Sequence, residues 1–367
     1  MAHNWHQRMG ALGLFRISVI FLYTIVLTRQ SIAYGNPMAL TPEGIARGLT
    51  LSTFVTGFQS QGDAGRPALT YLPDGRILAI NRLGQLQKFE NVNGQNAASI
   101  PVLQTYSAPS IYDLTVSGGQ TYLMTSHSVE RIDSNSGANL GAVFSGGPFD
   151  SQYYAMDTNP ANGWLLVYHW GYGVYSVNPA TGQYNPPFSV GGTGMVVTPD
   201  GTHLYAASLS GHLYRSNVGG GGMFDYGAVP GNYQGTWPGY SGTCGPSDVA
   251  LGFGPLAGRL YTSCVDGTIR ELNLQTLAYT LIATGGSDGQ RIAVDPSGNG
   301  DILITQSDRI LRLSGIPEPA SLSLLAIGGL VIFRRSVRTT PAQSSRKILW
   351  SPSWALPMCN SSTNCST

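Results

Sequence analysis

Short apolar runs recur through the middle of the chain and are separated by polar turns. In one unit, three such runs lie between residues 68 and 89, and Pro73-Asp74-Gly75 joins the first two. The same order recurs at 195–214, with Pro199-Asp200-Gly201 in the turn, and at 292–313. Pro fixes φ in such turns and Gly supplies a positive φ. The pattern therefore predicts short strands joined by tight turns.

Weaker copies of this unit begin at Ile111, Tyr154 and Asp248, which gives about six units with a period of roughly 40–45 residues. Short strands that repeat at this spacing are typical of a β-propeller. The sequence therefore predicts an all-β fold, a β-propeller of six blades, with seven blades as the next alternative.

The two ends of the repeat region are truncated in a complementary way. The last unit stops at Leu313 after three strands, whereas the β-rich segment 49–58 precedes the first unit. We expect this segment to add the missing strand to the last blade, because that closes the ring and covers a sheet edge. A parallel β-helix or a β-sandwich offers no reason for this pair of truncations.

The units at 195–214 and 292–313 resemble YVTN and NHL-type propeller repeats. This resemblance implies the propeller fold. It does not imply an activity, because such blades occur both in binding scaffolds and in enzymes.

Residues 1–33 have the features of a secretory signal peptide. Arg8 and Arg16 precede an apolar core at 17–27, and Ser31-Ile32-Ala33 offers small residues at the positions that signal peptidase reads. The alternatives are a buried first helix of a globular domain and a retained N-terminal anchor. The apolar core has no polar face at helical spacing, which favours the signal peptide.

Near the other end, Pro317-Glu318-Pro319 is followed by an apolar run at 320–333 and then by Arg334 and Arg335. A helix must begin after the prolines, and the arginines would hold its end on the cytoplasmic side of a membrane. This order resembles the PEP-CTERM sorting domain, which is found on exported proteins of Gram-negative bacteria that make extracellular polysaccharide. The resemblance covers residues 316–335. It implies recognition by exosortase, a membrane-embedded cysteine transpeptidase that cuts near the Pro-Glu-Pro motif.

These features divide the chain into five segments. We expect a signal peptide at 1–33, an N-terminal linker at 34–48, the propeller at 49–314, a sorting signal with a transmembrane helix at 315–335, and a disordered tail at 336–367.

The charge of the chain bears on its partners. The whole chain has 20 Lys and Arg and 19 Asp and Glu. Eight of the basic residues and one acidic residue lie in the terminal segments, so residues 34–316 hold 12 basic and 18 acidic residues, a net charge of −6. An acidic body without a cluster of Lys and Arg is poorly suited to phosphate backbones, and we expect no nucleic-acid partner.

The cysteines allow two interpretations. Cys244 and Cys264 can form a disulfide in an oxidising compartment, or they can remain two buried thiols. Cys359 and Cys365 lie in the tail and match no zinc spacing.

No catalytic motif is present, and we expect no catalytic residue, no resident metal and no cofactor. The alternative is an extracytoplasmic, lactonase-like hydrolase. Six-bladed lactonases hold calcium in the central channel with Glu, Asn and Asp side chains. Aspartates near the start of a unit serve more simply as turn caps, and this chain has four: Asp113, Asp157, Asp248 and Asp295.

Two aromatic stretches are candidates for ligand binding. Tyr168 and Trp170 lie in the third unit, and Trp237 and Tyr240 lie in a Gly-rich insertion between units four and five, to which Phe224 and Tyr226 are also assigned. Flat aromatic faces stack on sugar rings, whereas aromatic residues on strands can instead fill the space between blades. The loop residues favour binding more than the strand residues do.

The sequence thus favours an exported, non-enzymatic β-propeller that binds extracellular polysaccharide or an envelope protein. Its expected partners during export are signal peptidase, exosortase and the membrane, through the C-terminal helix. The expected location is the membrane first, then the cell surface or the medium, of a Gram-negative bacterium.

Export makes a direct prediction about the mass of the mature protein. We expect intact-mass spectrometry of protein from a Gram-negative host to find a species that starts at Tyr34 and ends near Pro317–Pro319. A species in the membrane pellet that retains residues 320–367 would contradict cleavage by exosortase.

Overall fold

The structure is a computed structural model that describes residues 37–59, 67–106, 111–145, 153–208, 210–233, 242–287, 291–296 and 299–315. One short helix, α1 (Pro42–Ala46), precedes the ring. The strands are β1 (Ala39–Leu40), β2 (Leu49–Thr56), β3 (Ala68–Tyr71), β4 (Ile77–Ile80), β5 (Gln85–Phe89), β6 (Gln95–Asn96), β7 (Val102–Thr105), β8 (Ile111–Ser117), β9 (Gln120–Thr125), β10 (Ser128–Ile132), β11 (Asn139–Ser145), β12 (Tyr153–Thr158), β13 (Leu165–His169), β14 (Gly173–Val177), β15 (Tyr184–Phe188), β16 (Gly194–Val197), β17 (His203–Ala207), β18 (His212–Asn217), β19 (Phe224–Ala228), β20 (Pro246–Leu251), β21 (Arg259–Cys264), β22 (Ile269–Asn273), β23 (Tyr279–Thr284), β24 (Ile292–Val294), β25 (Ile302–Gln306) and β26 (Arg309–Gly315).

The described strands form six sheets, which confirms the prediction of a six-bladed β-propeller. From the centre outwards, the first four blades are β3-β4-β5-β7, β8-β9-β10-β11, β12-β13-β14-β15 and β16-β17-β18-β19. The fifth blade is β20-β21-β22-β23 with β1 at its outer edge, and the sixth is β24-β25-β26-β2 with β6 at its outer edge.

The ring closes as the sequence predicts. Strand β2, from the start of the propeller, pairs antiparallel with β26, the last strand, in a register that joins Leu51 to Leu313 and Thr56 to Arg309. The sixth blade therefore contains both ends of the repeat region, and the outer edge of β26 is covered.

Each sheet buries both of its faces against its neighbours. Six hydrophobic clusters of described residues lie in the six gaps between consecutive blades. The cluster between blades six and one contains Phe54, Phe58 and Phe89, whose rings meet edge to face. The apolar runs in the sequence supply these gaps, because strands with two buried faces lack an alternation of polar and apolar residues.

The outer strands are the part of each blade that the sequence does not reveal. Strand β15 is almost wholly exposed and contains Pro186 and Pro187, and β7 is also largely exposed. Proline is tolerated in an edge strand because its missing N–H is not needed there. The assignment of Phe224 and Tyr226 to an insertion was wrong, because both lie in the outer strand β19, which is largely exposed and resembles a loop in sequence.

The segment that the sequence assigns to a linker holds β1 and α1, both against the fifth blade. Thr41 caps the helix by accepting the N–H of Gly44, and its hydroxyl donates to the carbonyl of Leu281 on β23. The guanidinium of Arg47 lies 2.5 Å from the buried carboxylate of Glu271 on β22. The ion pair of Arg47 with Glu271 and the hydrogen bonds of Thr41 attach this segment to the fifth blade and so fix the path of the chain into β2.

A disulfide joins Cys244 to Cys264 in the fifth blade. It connects the residue two positions before β20 to the last residue of β21, and both cysteines are fully buried. The pair links the end of the loop that enters this blade to its second strand, as the first of the two interpretations of the cysteines expects.

The terminal segments lie outside the described residues. They include the predicted signal peptide and the sorting motif of Pro317, Glu318, Pro319, Arg334 and Arg335. No helix among the residues that the structure describes is long and apolar enough to span a bilayer.

The closing strand makes a prediction about stability. Phe54 on β2 is fully buried, with its ring centre 6.3 Å from that of Phe89, so we expect Phe54→Ala to lower the free energy of unfolding by about 3–5 kcal/mol. Urea unfolding of the full chain measures this change. Thr50→Ala, at an exposed position of the same strand, should cost less than about 1 kcal/mol. Equal losses in the two variants would contradict the closure by buried packing.

Candidate binding sites at the two faces of the ring

The six innermost strands, β3, β8, β12, β16, β20 and β24, surround a central channel. Each of them is the inner edge of its sheet, so part of its backbone N–H and C=O groups faces the channel without a further strand to pair with. Buried backbone groups need hydrogen-bond partners. In this chain, side chains from the neighbouring blade supply several of them.

Three aspartates join neighbouring blades across the channel wall. In each case a carboxylate oxygen accepts the N–H of the next innermost strand: Asp113 that of Met156 (2.9 Å), Asp157 that of Val197 (2.7 Å) and Asp248 that of Ile292 (3.1 Å). The other oxygen of each carboxylate accepts the N–H of the following residue. The expectation that these aspartates cap turns was wrong, because their side chains replace the missing strand-to-strand bonds. The fourth, Asp295, follows β24 and accepts a hydrogen bond from Asn91 at 3.4 Å.

A single arginine fills one end of the channel. Arg291 directly precedes β24, is 2% exposed, and lies 3.5 Å from the carboxylates of both Asp113 and Asp248. Its terminal nitrogens also donate to three backbone carbonyls at or beside the starts of the innermost strands of blades two to four, those of Tyr112, Tyr154 (2.6 Å) and Thr193 (3.1 Å). The planar, permanently charged guanidinium suits this arrangement, because it presents several donors in one fork. One side chain of the sixth blade therefore links four other blades.

The centre of the channel carries an excess of acidic groups. Two of the three aspartates share Arg291, whereas no Lys, Arg or His of the described residues pairs with Asp157. Burial raises the pKa of Asp157 to about 7, two backbone N–H groups oppose that shift, and the charge of Asp113 adds to it. Burial also raises the pKa of Asp248, and the charge of Arg291 partly offsets this.

A cavity of about 500 Å³ begins beyond the arginine and reaches the opposite end of the channel. Its lining includes the three aspartates, but not Arg291 or the three residues whose carbonyls Arg291 binds. At the other end, four exposed prolines each lie two residues after an innermost strand: Pro73, Pro160, Pro199 and Pro296. Phe253 lies two residues after β20 in the same way. The channel is therefore a funnel, which we call the proline funnel, closed by Arg291 at one end and open at a rigid apolar rim.

The face of the ring at the closed end carries exposed aromatic residues. Trp170 and Tyr172 lie in the turn between β13 and β14 and are 44% and 52% exposed. The ring of Trp170 is 5.6 Å from that of Tyr154, whose carbonyl accepts from Arg291. Tyr168, by contrast, is 7% exposed and belongs to the cluster between blades three and four. Of the two aromatic residues singled out in this blade, Trp170 is available to a ligand and Tyr168 fills the space between blades.

The other two aromatic candidates, Trp237 and Tyr240, lie outside the described residues. The described residues that flank them belong to the connection from β19 to β20, where the N–H of Tyr233 donates to the carbonyl of Thr243. This connection enters the start of β20, which is the same face as the turn of Trp170 and Tyr172.

The residues do not fit a central metal. Among the described residues, the one set of three His, Cys, Asp or Glu ligand atoms within 4.8 Å of one another is Cys244, Cys264 and Asp266, and the two sulfurs are joined as a disulfide. The channel carboxylates each accept two backbone N–H groups, and two of them also pair with Arg291. Calcium takes six to eight oxygen ligands, and in the channel it would compete with the guanidinium of Arg291 for Asp113 and Asp248.

Comparison with known proteins adds the fold and no activity. No protein-family model matches the chain, and no curated protein matches it. Among solved structures, the chain is similar to an auxiliary nutrient binding protein from Bacteroides ovatus, with 13% identity over 73% of this chain and 76% of that one and a TM-score of 0.56. It is also similar to a structural genomics protein of unknown function from Bacteroides thetaiotaomicron (12% identity, 72% and 76% coverage, TM-score 0.51) and to streptogramin B lyase (11% identity, 72% and 97% coverage, TM-score 0.50). At these identities the likeness shows the propeller fold alone.

The central arginine makes a prediction with a defined pH dependence. We expect Arg291→Ala to lower the free energy of unfolding by about 3–5 kcal/mol at pH 8, because it leaves Asp113 and Asp248 buried without a counter-charge. The loss should be smaller at pH 5, because burial raises the pKa of Asp248 and its carboxyl group can take up a proton there. Urea unfolding at the two pH values measures both effects.

The matched control is Arg291→Lys, which keeps the charge and loses the fork of donors. It should retain part of the lost stability and show a weaker dependence on pH. An Arg291→Ala variant as stable as the parent chain would contradict a central role for this residue.

Proposed function

We propose that this chain is an exported, non-enzymatic β-propeller that binds carbohydrate through the face that carries Trp170 and Tyr172. The observation that supports a binding role over metal-dependent hydrolysis is the engagement of Asp113, Asp157 and Asp248 by backbone N–H groups of the next blade. Asp113 and Asp248 also pair with Arg291, so a metal ion would compete with that guanidinium for two of the three carboxylates.

The carbohydrate part of the proposal rests on the exposed aromatic turn. A tryptophan and a tyrosine that are about half exposed offer apolar faces with polar edges, which suits stacking on sugar rings. The ring of Tyr154 packs edge to face against the indole of Trp170. The turn is held by a hydrogen bond from the N–H of Tyr172 to the carbonyl of His169. A rigid aromatic surface loses little conformational entropy when it binds a ligand.

A second part of the chain reaches the same face as Trp170, because β19 ends and β20 begins there. The connection that includes Trp237 and Tyr240 begins after β19 and ends before β20, at the same face. Export rests on the signal-like residues 1–33 and on the resemblance of residues 316–335 to a PEP-CTERM sorting domain. The disulfide between Cys244 and Cys264 agrees with an oxidising compartment.

A glycan array followed by calorimetry with the tightest oligosaccharide tests the proposal. We expect Trp170→Ala to weaken binding about tenfold or more, because a lost aromatic contact of about 1.4 kcal/mol corresponds to that factor. Leu140→Ala, at an exposed apolar position of blade two, should leave the affinity unchanged.

The same protein distinguishes the alternatives. Calcium titration should give no binding that Asp157→Asn abolishes, and such binding would favour the hydrolase. Binding of an envelope protein without any glycan binding would contradict the carbohydrate part of the proposal, whereas the proposal that the chain is a binding module would stand.

A further inference from the structure

The proline funnel is a second site, on the face of the ring opposite to Trp170. Strand β12 shows the separation, because Tyr154 at its start lies beside Trp170, whereas Pro160 beyond its end belongs to the rim of the funnel. A ligand in the funnel therefore need not compete with a ligand on the aromatic face. This inference does not depend on the proposed carbohydrate binding.

The dimensions of the proline funnel suit a small molecule. Its volume of about 500 Å³ lies within the range of ligand pockets in proteins, roughly 300–1,000 Å³. Its wall is mostly apolar and comes from the innermost strands, including Leu114, Met156, Met195, Val197 and Ala250. The proline rim adds rigid apolar surface at the entrance. Such a wall favours a compact apolar body.

The charged residues that line the funnel are acidic. Asp113 and Asp248 are compensated by Arg291, which the lining of the cavity does not include. Asp157 lines the cavity, is partly exposed to it, and pairs with no cation of the described residues. Its oxygens each accept one N–H, at 2.7 Å, and a carboxylate oxygen has a second lone pair for another donor.

We propose that the proline funnel binds a small amine, with the apolar body of the ligand against the funnel wall and its ammonium group on the carboxylate of Asp157. A cation is favoured over a neutral donor because three carboxylates and one guanidinium leave negative charge in a partly desolvated site. The negative charge of the funnel would repel an anion, and a bulky neutral sugar would meet the apolar rim.

The site also defines how binding should depend on pH. The raised pKa of Asp157 means that part of the protein carries a neutral acid there near neutral pH. The charge of Asp113 from β8 acts on Asp157. Asp248 from β20 and Tyr71 from β3 line the same cavity, and β16 contributes no titratable side chain. An ammonium ligand requires the ionised acid, so binding releases a proton and strengthens as the pH rises through about 7.

Calorimetry of the full chain with 2-phenylethylamine, and with 2-phenylethanol as its neutral analogue, tests the proposal. We expect the amine to bind at pH 8 at least tenfold more tightly than the alcohol, and to bind more weakly at pH 6. At pH 6 the heat should also change with the ionisation enthalpy of the buffer, because binding there releases a proton from Asp157.

Two variants locate the site. Asp157→Asn should weaken amine binding tenfold or more and remove the pH dependence. Asp200→Asn is the matched control, since Asp200 is an exposed aspartate next to the rim residue Pro199, and it should leave the affinity unchanged.

If Asp157→Asn does not fold, the difference between amine and alcohol and the pH profile of the parent chain decide the matter. Equal binding of amine and alcohol, equal loss in the two variants, or no amine binding up to about 10 mM at pH 8 would each overturn the proposal.

Discussion

The pairing of β2 with β26 is the interaction on which the rest of the structure depends. Each blade buries both faces against its neighbours, so no blade has a complete core unless the ring is closed. The closing strand also brings Phe54 into the gap between the last blade and the first. Segment 37–48 supports the same strand from outside, through the cap at Thr41 and the ion pair of Arg47 with Glu271.

Closure creates a second problem at the centre, where six sheet edges face one another across a channel. The chain solves it with side chains, because Asp113, Asp157 and Asp248 accept N–H groups that no further strand can reach. Burial of a charged carboxylate lowers the stability of the fold, and Arg291 offsets this for Asp113 and Asp248. The same guanidinium binds three backbone carbonyls of other blades. The electrostatics at the centre of the ring thus follow from the geometry of the fold.

The sequence predicts the inner part of each blade far better than the outer part or the channel. Inner strands are continuous apolar runs closed by Pro-Asp-Gly turns, which local chemistry specifies. Outer strands such as β15, with Pro186 and Pro187, have the amino-acid composition of loops, because one edge of the strand and most of its side chains face solvent. Arg291 was not predicted, since the backbone carbonyls that it binds lie 98 to 179 residues away in the chain. A lone arginine directly before an apolar strand, in a chain with 11% charged residues, was the available signal.

The same constraint explains why the two faces of the ring differ chemically. At the face where the innermost strands begin, Arg291 occupies the channel. A ligand at this face can contact only the outer surface, where the turn of Trp170 and Tyr172 is exposed. At the other face the channel is open, and its wall contains the three aspartates that join neighbouring blades. Among the described residues, Asp157 is the one of these three carboxylates without a cation, and it both joins blades three and four and lines the funnel. A ligand that supplies a cation there would strengthen the seam as it binds, because it stabilises the ionised form that accepts the N–H of Val197.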